Sequence, residues 1–301
     1  MRIAALSDLH VHPDQGDEFL LQEIHHRVQE ISPDVLVIAG DVSSKLDILS
    51  DALSKLHIPN AANLFVSGNH DIWFEEKIGL GSLEKYSRYI GDVCRENGFF
   101  HLPDAPHIEE DVAFIGSLGW YDYSFRRTDM DIPEHAYEQK EYGGSVWYDV
   151  LCVDWEFTDK EATDLFNQKL EYDLSVLPDS VSRVVYVSHH LPFRDLTLYK
   201  NRLPWDFFSA FMGAASTGDI LLNDGRVVLT ISGHSHVRMN KTFDGITSIT
   251  VPLGYGRPAD DEIPELAQAT VANIELVDNT VQVHDFVEGD ICEGMPYRNA
   301  R

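Results

Sequence analysis

The chain has 301 residues, 44% hydrophobic and 24% charged, with 23 Lys and Arg against 50 Asp and Glu for a formal net charge of −27. This excludes a disordered chain, a collagen-like repeat and a coiled coil, and leaves enough chain to bury a core without disulfide staples. The acidic balance disfavours DNA, RNA and anionic lipid, whose binding needs clustered cations, but admits a small anionic substrate where a bound metal reverses the local charge. In chain order, Ile3–Leu6 predicts a buried strand. Phe19, Leu20, Ile24, Val28 and Ile31 then recur at helical spacing until Ser32, Pro33 and Asp34 end the helix. Val35–Ala39 predicts a second strand, Leu46, Leu49, Leu53 and Leu56 a second helix, and Asn63–Val66 a third strand. The βαβαβ order predicts a sheet that begins parallel under covering helices.

Residues 72–98 read as helical, with Leu83, Tyr86, Ile90 and Val93 on one face, and Val112–Ile115 as a strand. From Trp120 to Phe157 the chain is aromatic, acidic and irregular, as expected of an insertion over one end of the sheet. Thr158 and Glu161 form a capping box for a helix carrying Leu165, Phe166, Leu170 and Leu174. Arg183–Val187 predicts a strand, followed by a loop with Trp205, Phe207, Phe208 and Phe211. Val227–Ile231, Ile246–Val251, Ala269–Leu276 and Thr280–Phe286 predict closing strands, the last two a hairpin across Val277, Asp278 and Asn279. Nothing resembles a linker, so residues 1–301 read as one domain, with the insertion at 120–157 and a loop at 191–215 over its rim. Cys94, Cys152 and Cys292 are odd in number, widely spaced and without a CxxC pair, which predicts free thiols in a reducing compartment. The opening MRIAALSDLH is too short for a signal peptide, and no run of 18 apolar residues follows, so a cytoplasmic protein without a membrane partner is expected.

The residues after the strands carry the chemistry. Asp8 and His10 follow the first, Gly40 and Asp41 the second, and Gly68, Asn69, His70 and Asp71 the third. His189 and His190 follow Arg183–Val187, and Gly233, His234, Ser235 and His236 follow Val227–Ile231. Ligands of α/β sheets collect outside the carboxyl ends of strands, so five strand ends deliver these groups to one rim. Mixed oxygen and imidazole donors suit Mn, Fe or Zn better than Mg or Ca. Asp8, His10, Asp41, Asn69, one of His189 and His190, His234 and His236 make seven donors, too many for one ion that keeps a reactive position. Two ions sharing a carboxylate can take them, and Asp41, alone on a tight glycine turn, is the natural bridge. Two divalent ions outweigh two carboxylates in charge, which suits a phosphoryl anion.

The ordered set Asp8-x-His10, Gly40-Asp41, Gly68-Asn69-His70-Asp71, His189 and Gly233-His234-x-His236 resembles the calcineurin-like metallophosphoesterase superfamily, over roughly residues 3 to 236. The resemblance implies an α/β fold: a two-sheet β-sandwich flanked by helices in four layers, αββα, with a dinuclear site at its top. It implies Asp8, His10, Asp41 and His236 on one transition-metal ion (Mn, Fe or Zn), and Asp41, Asn69, His189 and His234 on the other. His70 becomes the catalytic group that steadies the phosphoryl oxygen and protonates the leaving group. His189, first after its strand, is the superfamily-like ligand, with His190 beside it or against substrate. The superfamily often has Asp or Asn three residues after the bridging Asp; here the position is Ser44, which leaves Ser44 or Asp71 to support His70. The implied function is hydrolysis of a phosphomonoester or phosphodiester of a small soluble substrate, nucleotide-like if the loop aromatics stack a ring. Trp120, Tyr121, Tyr123, Trp147, Trp205 and Phe208 either do that or pack the loops, and Arg126, Arg127 and Arg194 either reach a distal phosphate or form surface ion pairs. The alternatives are a non-catalytic scaffold or interaction module of the same fold and a nuclease, the latter disfavoured by the charge.

Overall fold

The computed structural model describes residues 1–12, 17–254 and 260–289. Its strands, in chain order, are β1 (Arg2–Leu6), β2 (Val35–Ala39), β3 (Ala62–Val66), β4 (Phe100–His101), β5 (His107–Glu109), β6 (Val112–Ser117), β7 (Glu141–Tyr142), β8 (Ser145–Val146), β9 (Arg183–Ser188), β10 (Val227–Ser232), β11 (Met239–Phe243), β12 (Ile246–Thr250), β13 (Ala272–Val277) and β14 (Thr280–His284). Two six-stranded sheets have the orders β14-β13-β1-β2-β3-β4 and β11-β12-β10-β9-β6-β5, and β7 pairs with β8. β1 to β4 are parallel, as are β6, β9, β10 and β12. Antiparallel pairs complete the edges, through β13 and β14 in one sheet and through β5 and β11 in the other.

Successive side chains of a strand point to opposite faces, and here both faces are buried. Ile3, Ala5, Val35 and Val37 share a core with Phe114, Val185, Val187 and Ile231 of the other sheet. The alternate residues, Ala4, Leu6, Leu36 and Ile38, pack with Leu20, Ile24, Leu49 and Leu53 of the helices Asp17–Ile31 and Leu46–Leu56. On the far side, Ala113, Ile115, Val184 and Tyr186 pack with Leu170 and Leu174 of the helix Asp159–Val176. That helix begins in the expected capping box, with Glu161 N donating to Thr158 Oγ1 and Thr158 N donating to the Glu161 carboxylate. Strands covered on both faces read as continuous apolar runs, which is why their positions were visible in sequence. The layers are αββα, as the resemblance implied.

Two expectations need correction, and one strand was not expected. Residues 72–98 are not one helix: a turn of helix at Asn69–Ile72 gives way to a bend with a left-handed Gly79, and the helical run begins only at Ser82. Ala269 and Thr270 end a helix, Ile263–Thr270, so the strand there starts at Ala272. β11 escaped notice because an edge strand of sequence MNKTF, exposed over three residues, carries no apolar alternation. Cys94 is buried and Cys152 half-buried, both free, while Cys292 lies outside the described residues. No described helix is long and apolar enough to cross a membrane.

Candidate metal centre

The centre forms where β1, β2 and β3 of one sheet and β9 and β10 of the other release their chains. The turns are tight. Gly40 has φ +85, and a Cβ on it would lie 2.4 Å from Gly68 N; a Cβ on Gly68 would lie 2.1 Å from Asp41 Oδ1. Asp8, His10, Asp41, His234 and His236 have φ of 58°, 42°, 56°, 68° and 53°. Left-handed backbone costs a residue with a side chain about 1–2 kcal/mol, and persists where surrounding contacts over-determine it. Those contacts are present. Asp8 N donates to Gly40 O and His10 N to Asp41 O, both at 2.9 Å. The Asp8 carboxylate accepts Ser7 Oγ at 2.6 Å and His234 N at 3.0 and 3.1 Å, joining the two sheets. Asp71 binds the N–H groups of Asp41, Val42, Ser43 and Gly68 at 2.8–2.9 Å. Burial and the nearby Asp41 push its carboxyl up to about 7, against the pull of those donors.

The imidazoles are oriented by carbonyls. His189 Nδ1 lies 2.8 Å from Ala39 O, His234 Nε2 3.0 Å from Phe211 O, and His236 Nδ1 3.1 Å from Gly254 O. A carbonyl only accepts, so these nitrogens carry a proton, and each ring, when neutral, offers a lone pair on its opposite nitrogen. His189 Nε2 and His234 Nδ1 face each other at 3.2 Å, with Asp41 Oδ2 3.2 Å from His189 Nε2. His236 Nε2 lies 3.2 Å from His10 Nε2 and 3.4 Å from Asp8 Oδ1. A proton can bridge such a pair of nitrogens, and where both are unprotonated a cation between them turns the repulsion of their lone pairs into ligation. Asn69 Oδ1 adds a buried oxygen with no hydrogen-bond partner. Donor atoms of Asp8, His10 and His236 lie within 4.8 Å of one another, as do those of Asp41, His189 and His234 and those of His10, Asp41 and His70. The chemistry of this donor set, buried carboxylates, a carboxamide oxygen and imidazoles, fits a divalent cation.

Charge at the centre follows the same logic. Burial lowers the pKa of His189, but the Asp41 carboxylate outweighs it and raises the ring to about 9. Burial, then His189, drives His190 down to about 3, and burial with its two histidine neighbours holds His234 well below its ordinary value. Burial alone would raise Asp41, but His189, His70 and His10 hold it well below the usual carboxylate range.

All seven expected donors and His70 therefore converge, with His189 rather than His190 in the cluster. His190 Nδ1 meets Leu118 O at 3.2 Å, its Nε2 has no partner, and its ring packs near Trp120 and Tyr121. His70 N donates to Asp41 Oδ1 at 2.8 Å, and its Nε2 lies 3.9 Å from Asp41 Oδ2. Burial lowers its pKa, against the pull of Asp41 and Asp149. Its support differs from both sequence alternatives. Among the described residues no hydrogen bond joins the His70 ring to Ser44 or to Asp71, whose carboxylate is occupied by backbone N–H groups, and the ring stacks on Trp73 at 3.7 Å.

The centre opens into a cavity of about 310 Å³ lined by His10, Asn69, His70, Trp73, Trp147 and Tyr148 among others. Of the loop aromatics, Trp147 reaches it, its ring 5.6 Å from that of His234. Trp120 is buried, bonded to Asp159 at 2.8 Å, and lines a separate cavity of about 490 Å³. Trp205 bonds Leu198 O and carries Lys200 on its face. Arg127 pairs with Asp129 and Asp206, and Arg194 bonds Arg126 O and Tyr199. Asp149 and Trp73 went unseen in sequence. Asp149 is a buried acceptor for Asn69, Trp73, Tyr121 and Trp147. It lies in an irregular stretch 80 residues from Asn69, where no motif or periodicity marks it.

The family model described as calcineurin-like phosphoesterase matches residues 1–238. The chain belongs to the calcineurin-like phosphoesterase family. Phosphopantetheinyl hydrolase from Mycobacterium tuberculosis superposes with a TM-score of 0.67 at 22% identity, over 84% of this chain and 89% of that one. A dimetal phosphatase from Danio rerio gives 0.56 at 15% identity, over 96% and 97%. At those identities the likeness is one of fold. A Danio rerio protein described as a transmembrane protein with metallophosphoesterase domain is 36% identical over 92 residues, 27% of this chain. The match covers 21% of that relative's length. Calcineurin-like phosphoesterases bind divalent metals and act on phosphoesters, and the clustered His and Asp donors of this member accord with that.

Proposed function

We propose that this phosphoesterase hydrolyses a phosphomonoester or phosphodiester of a small soluble substrate at a dinuclear centre. The observation that carries the reading is the pair of opposed imidazole nitrogens, His189 against His234 and His10 against His236, flanking the Asp41 carboxylate. Asp8, His10, Asp41 and His236 would hold one ion, and Asp41, Asn69, His189 and His234 the other, with Mn, Fe or Zn suited to the donors. Bound there, the ions supply charge neutralisation, substrate orientation and activation of water. His70 faces the same cavity and donates the proton that the leaving oxygen needs. Trp73 fixes the His70 ring, and Trp147 and Tyr148 wall the space left for the substrate's organic part. The separate cavity behind Trp120 lies outside this role, so the ring-stacking part falls to Trp147 and Tyr148. We read residues 1–301 as one domain, with 120–157 and 191–215 at its rim, and place it in the cytoplasm on its free Cys94 and Cys152.

The test is a hydrolysis screen with Mn, Fe and Zn over nucleoside monophosphates, aryl monoesters and diesters. It includes a phosphopantetheinyl conjugate because of the fold shared with the Mycobacterium tuberculosis enzyme. Turnover of a small ester with no cleavage of duplex DNA at moderate salt is expected. Fewer than two ions per chain at saturation would sink the dinuclear reading. Full loading with no turnover of any ester would favour the non-catalytic scaffold.

A further inference from the structure

Asp149 opens the short helix Asp149–Cys152, in the chain between β8 and β9. Its side chain is buried and makes four hydrogen bonds. One oxygen accepts Asn69 Nδ2 at 2.9 Å and Trp73 Nε1 at 2.8 Å; the other accepts Tyr121 OH at 3.0 Å and Trp147 Nε1 at 2.8 Å. A carboxylate offers about four acceptor sites and no donor, so the four partners saturate it.

The consequence for Asn69 is directional. The two ends of a carboxamide are nearly equal in size, so packing alone does not decide which end points where. An acceptor-only neighbour does. Asp149 can bind only the Nδ2 end, and Oδ1 is the end left buried and without a hydrogen bond, on a residue that lines the cavity of the centre. Only that oxygen can ligate a cation. The same carboxylate oxygen holds Trp73 Nε1, and the Trp73 ring is the shelf on which His70 stacks at 3.7 Å.

We propose that Asp149 is the positioning residue of the centre: one buried carboxylate turns the carbonyl of Asn69 toward the ion shared with Asp41, His189 and His234, and holds the indole on which His70 rests. The proposal rests on the two-ion reading above. Asp149 borders the same cavity, but both its oxygens are taken by its four hydrogen-bond donors, so it acts through Asn69 and Trp73.

The experiment is a double-mutant cycle read by Mn(II) titration of the metal-free full chain: wild type, Asp149→Ala, Asn69→Ala and the double variant. Near-UV circular dichroism of each metal-free protein checks the fold. Asp149→Ala should weaken one of the two ions about 10- to 100-fold, the usual cost of losing a group that orients a ligand. The other ion should stay within about twofold, and in the Asn69→Ala background the Asp149 change should cost nothing further. Trp73→Phe keeps a ring and loses the N–H. Both ions should stay bound, while turnover of an alkyl ester falls more than that of a nitrophenyl ester. Unchanged Mn(II) affinity in Asp149→Ala, or equal losses in the two backgrounds, overturns the proposal and leaves Asp149 as a packing group. Equal effects of Trp73→Phe on both esters overturn its route to His70. Fewer than two Mn(II) ions in the wild type defeats the two-ion reading itself, and is seen before any variant is compared. If Asp149→Ala does not fold, Asp149→Leu carries the same cycle, since it fills comparable space and removes every acceptor.

Discussion

Gly68→Ala isolates the backbone packing on which the centre depends. The φ at Gly68 is −97°, ordinary for any residue, so an alanine there meets no backbone penalty and its cost is steric. The new methyl would lie 2.1 Å from Asp41 Oδ1, 2.6 Å from Asp41 N and 2.7 Å from Asp41 Cγ. Oδ1 can retreat only by giving up the His70 N–H at 2.8 Å, and Asp41 N is held by Asp71 at 2.8 Å. Forced overpacking costs about 1–3 kcal/mol, and a lost buried hydrogen bond adds about 1 kcal/mol. A total of ~3 kcal/mol lowers the thermal midpoint of a chain this long by roughly 5 °C. On the two-ion proposal, displacing Asp41 should also release both ions, because the proposal has them share that carboxylate. The assay is thermal unfolding of the metal-free protein, with ion content and turnover measured on loaded samples. Gly225→Ala is the control: a Cβ there meets nothing within 4 Å, so the change should stay within about 0.5 kcal/mol. A Gly68→Ala protein that melts lower yet keeps two ions and full turnover would refute the placement of Asp41 as the bridge.

Other expectations are as direct. Asp41→Asn keeps one oxygen for His70 N but removes the shared charge, so it should cost more ion binding by elemental analysis than any other single donor change. His70→Ala should leave ion content intact and lower turnover by about 100-fold, less for a nitrophenyl leaving group; equal losses on both substrates would mean that His70 acts through charge or packing. A chelator should abolish turnover, and adding Mn, Fe or Zn back should restore it. Away from the centre, hydrogen bonds from Arg183 and then Ser182 hold Asp111 down to about 2. A depressed carboxyl stabilises the fold above its unfolded pKa of about 3.9 and loses that contribution as pH falls through the folded value. Asp111→Asn should therefore flatten the acid limb of a plot of thermal midpoint against pH between about 4 and 2.

What the sequence made legible was whatever sat next to an apolar run. β1, β2, β3, β9 and β10 are buried on both faces, so their ends could be located, and Asp8, Asp41, Asn69, His189 and His234 follow those ends within one to three residues. The two-sheet architecture came with the same motifs. Long-range partnerships were not legible. The Asp149 contact with Asn69 spans 80 residues and starts from a segment without periodicity. The support for His70 was sought in Ser44 or Asp71, the neighbours that family spacing suggests, whereas it comes from the flat face of Trp73. Trp120 and Trp147 look alike in an aromatic segment; only the fold sends one behind Asp159 and the other to the cavity.

The division of the donors between the sheets bears on how the protein unfolds. Asp8, His10, Asp41 and Asn69 leave strands of one sheet, and His189, His234 and His236 leave strands of the other. Ions bound among them act as cross-links across the mouth of the sandwich, where the described chain has no disulfide to do so. A ligand that binds only the folded form adds RT ln(1 + [L]/Kd) to stability, about 2.7 kcal/mol at a hundredfold excess over Kd. On the two-ion proposal the metals would also serve as rivets: a cell short of them would hold a protein that is both inactive and easier to pull open, beginning at the end that carries the site.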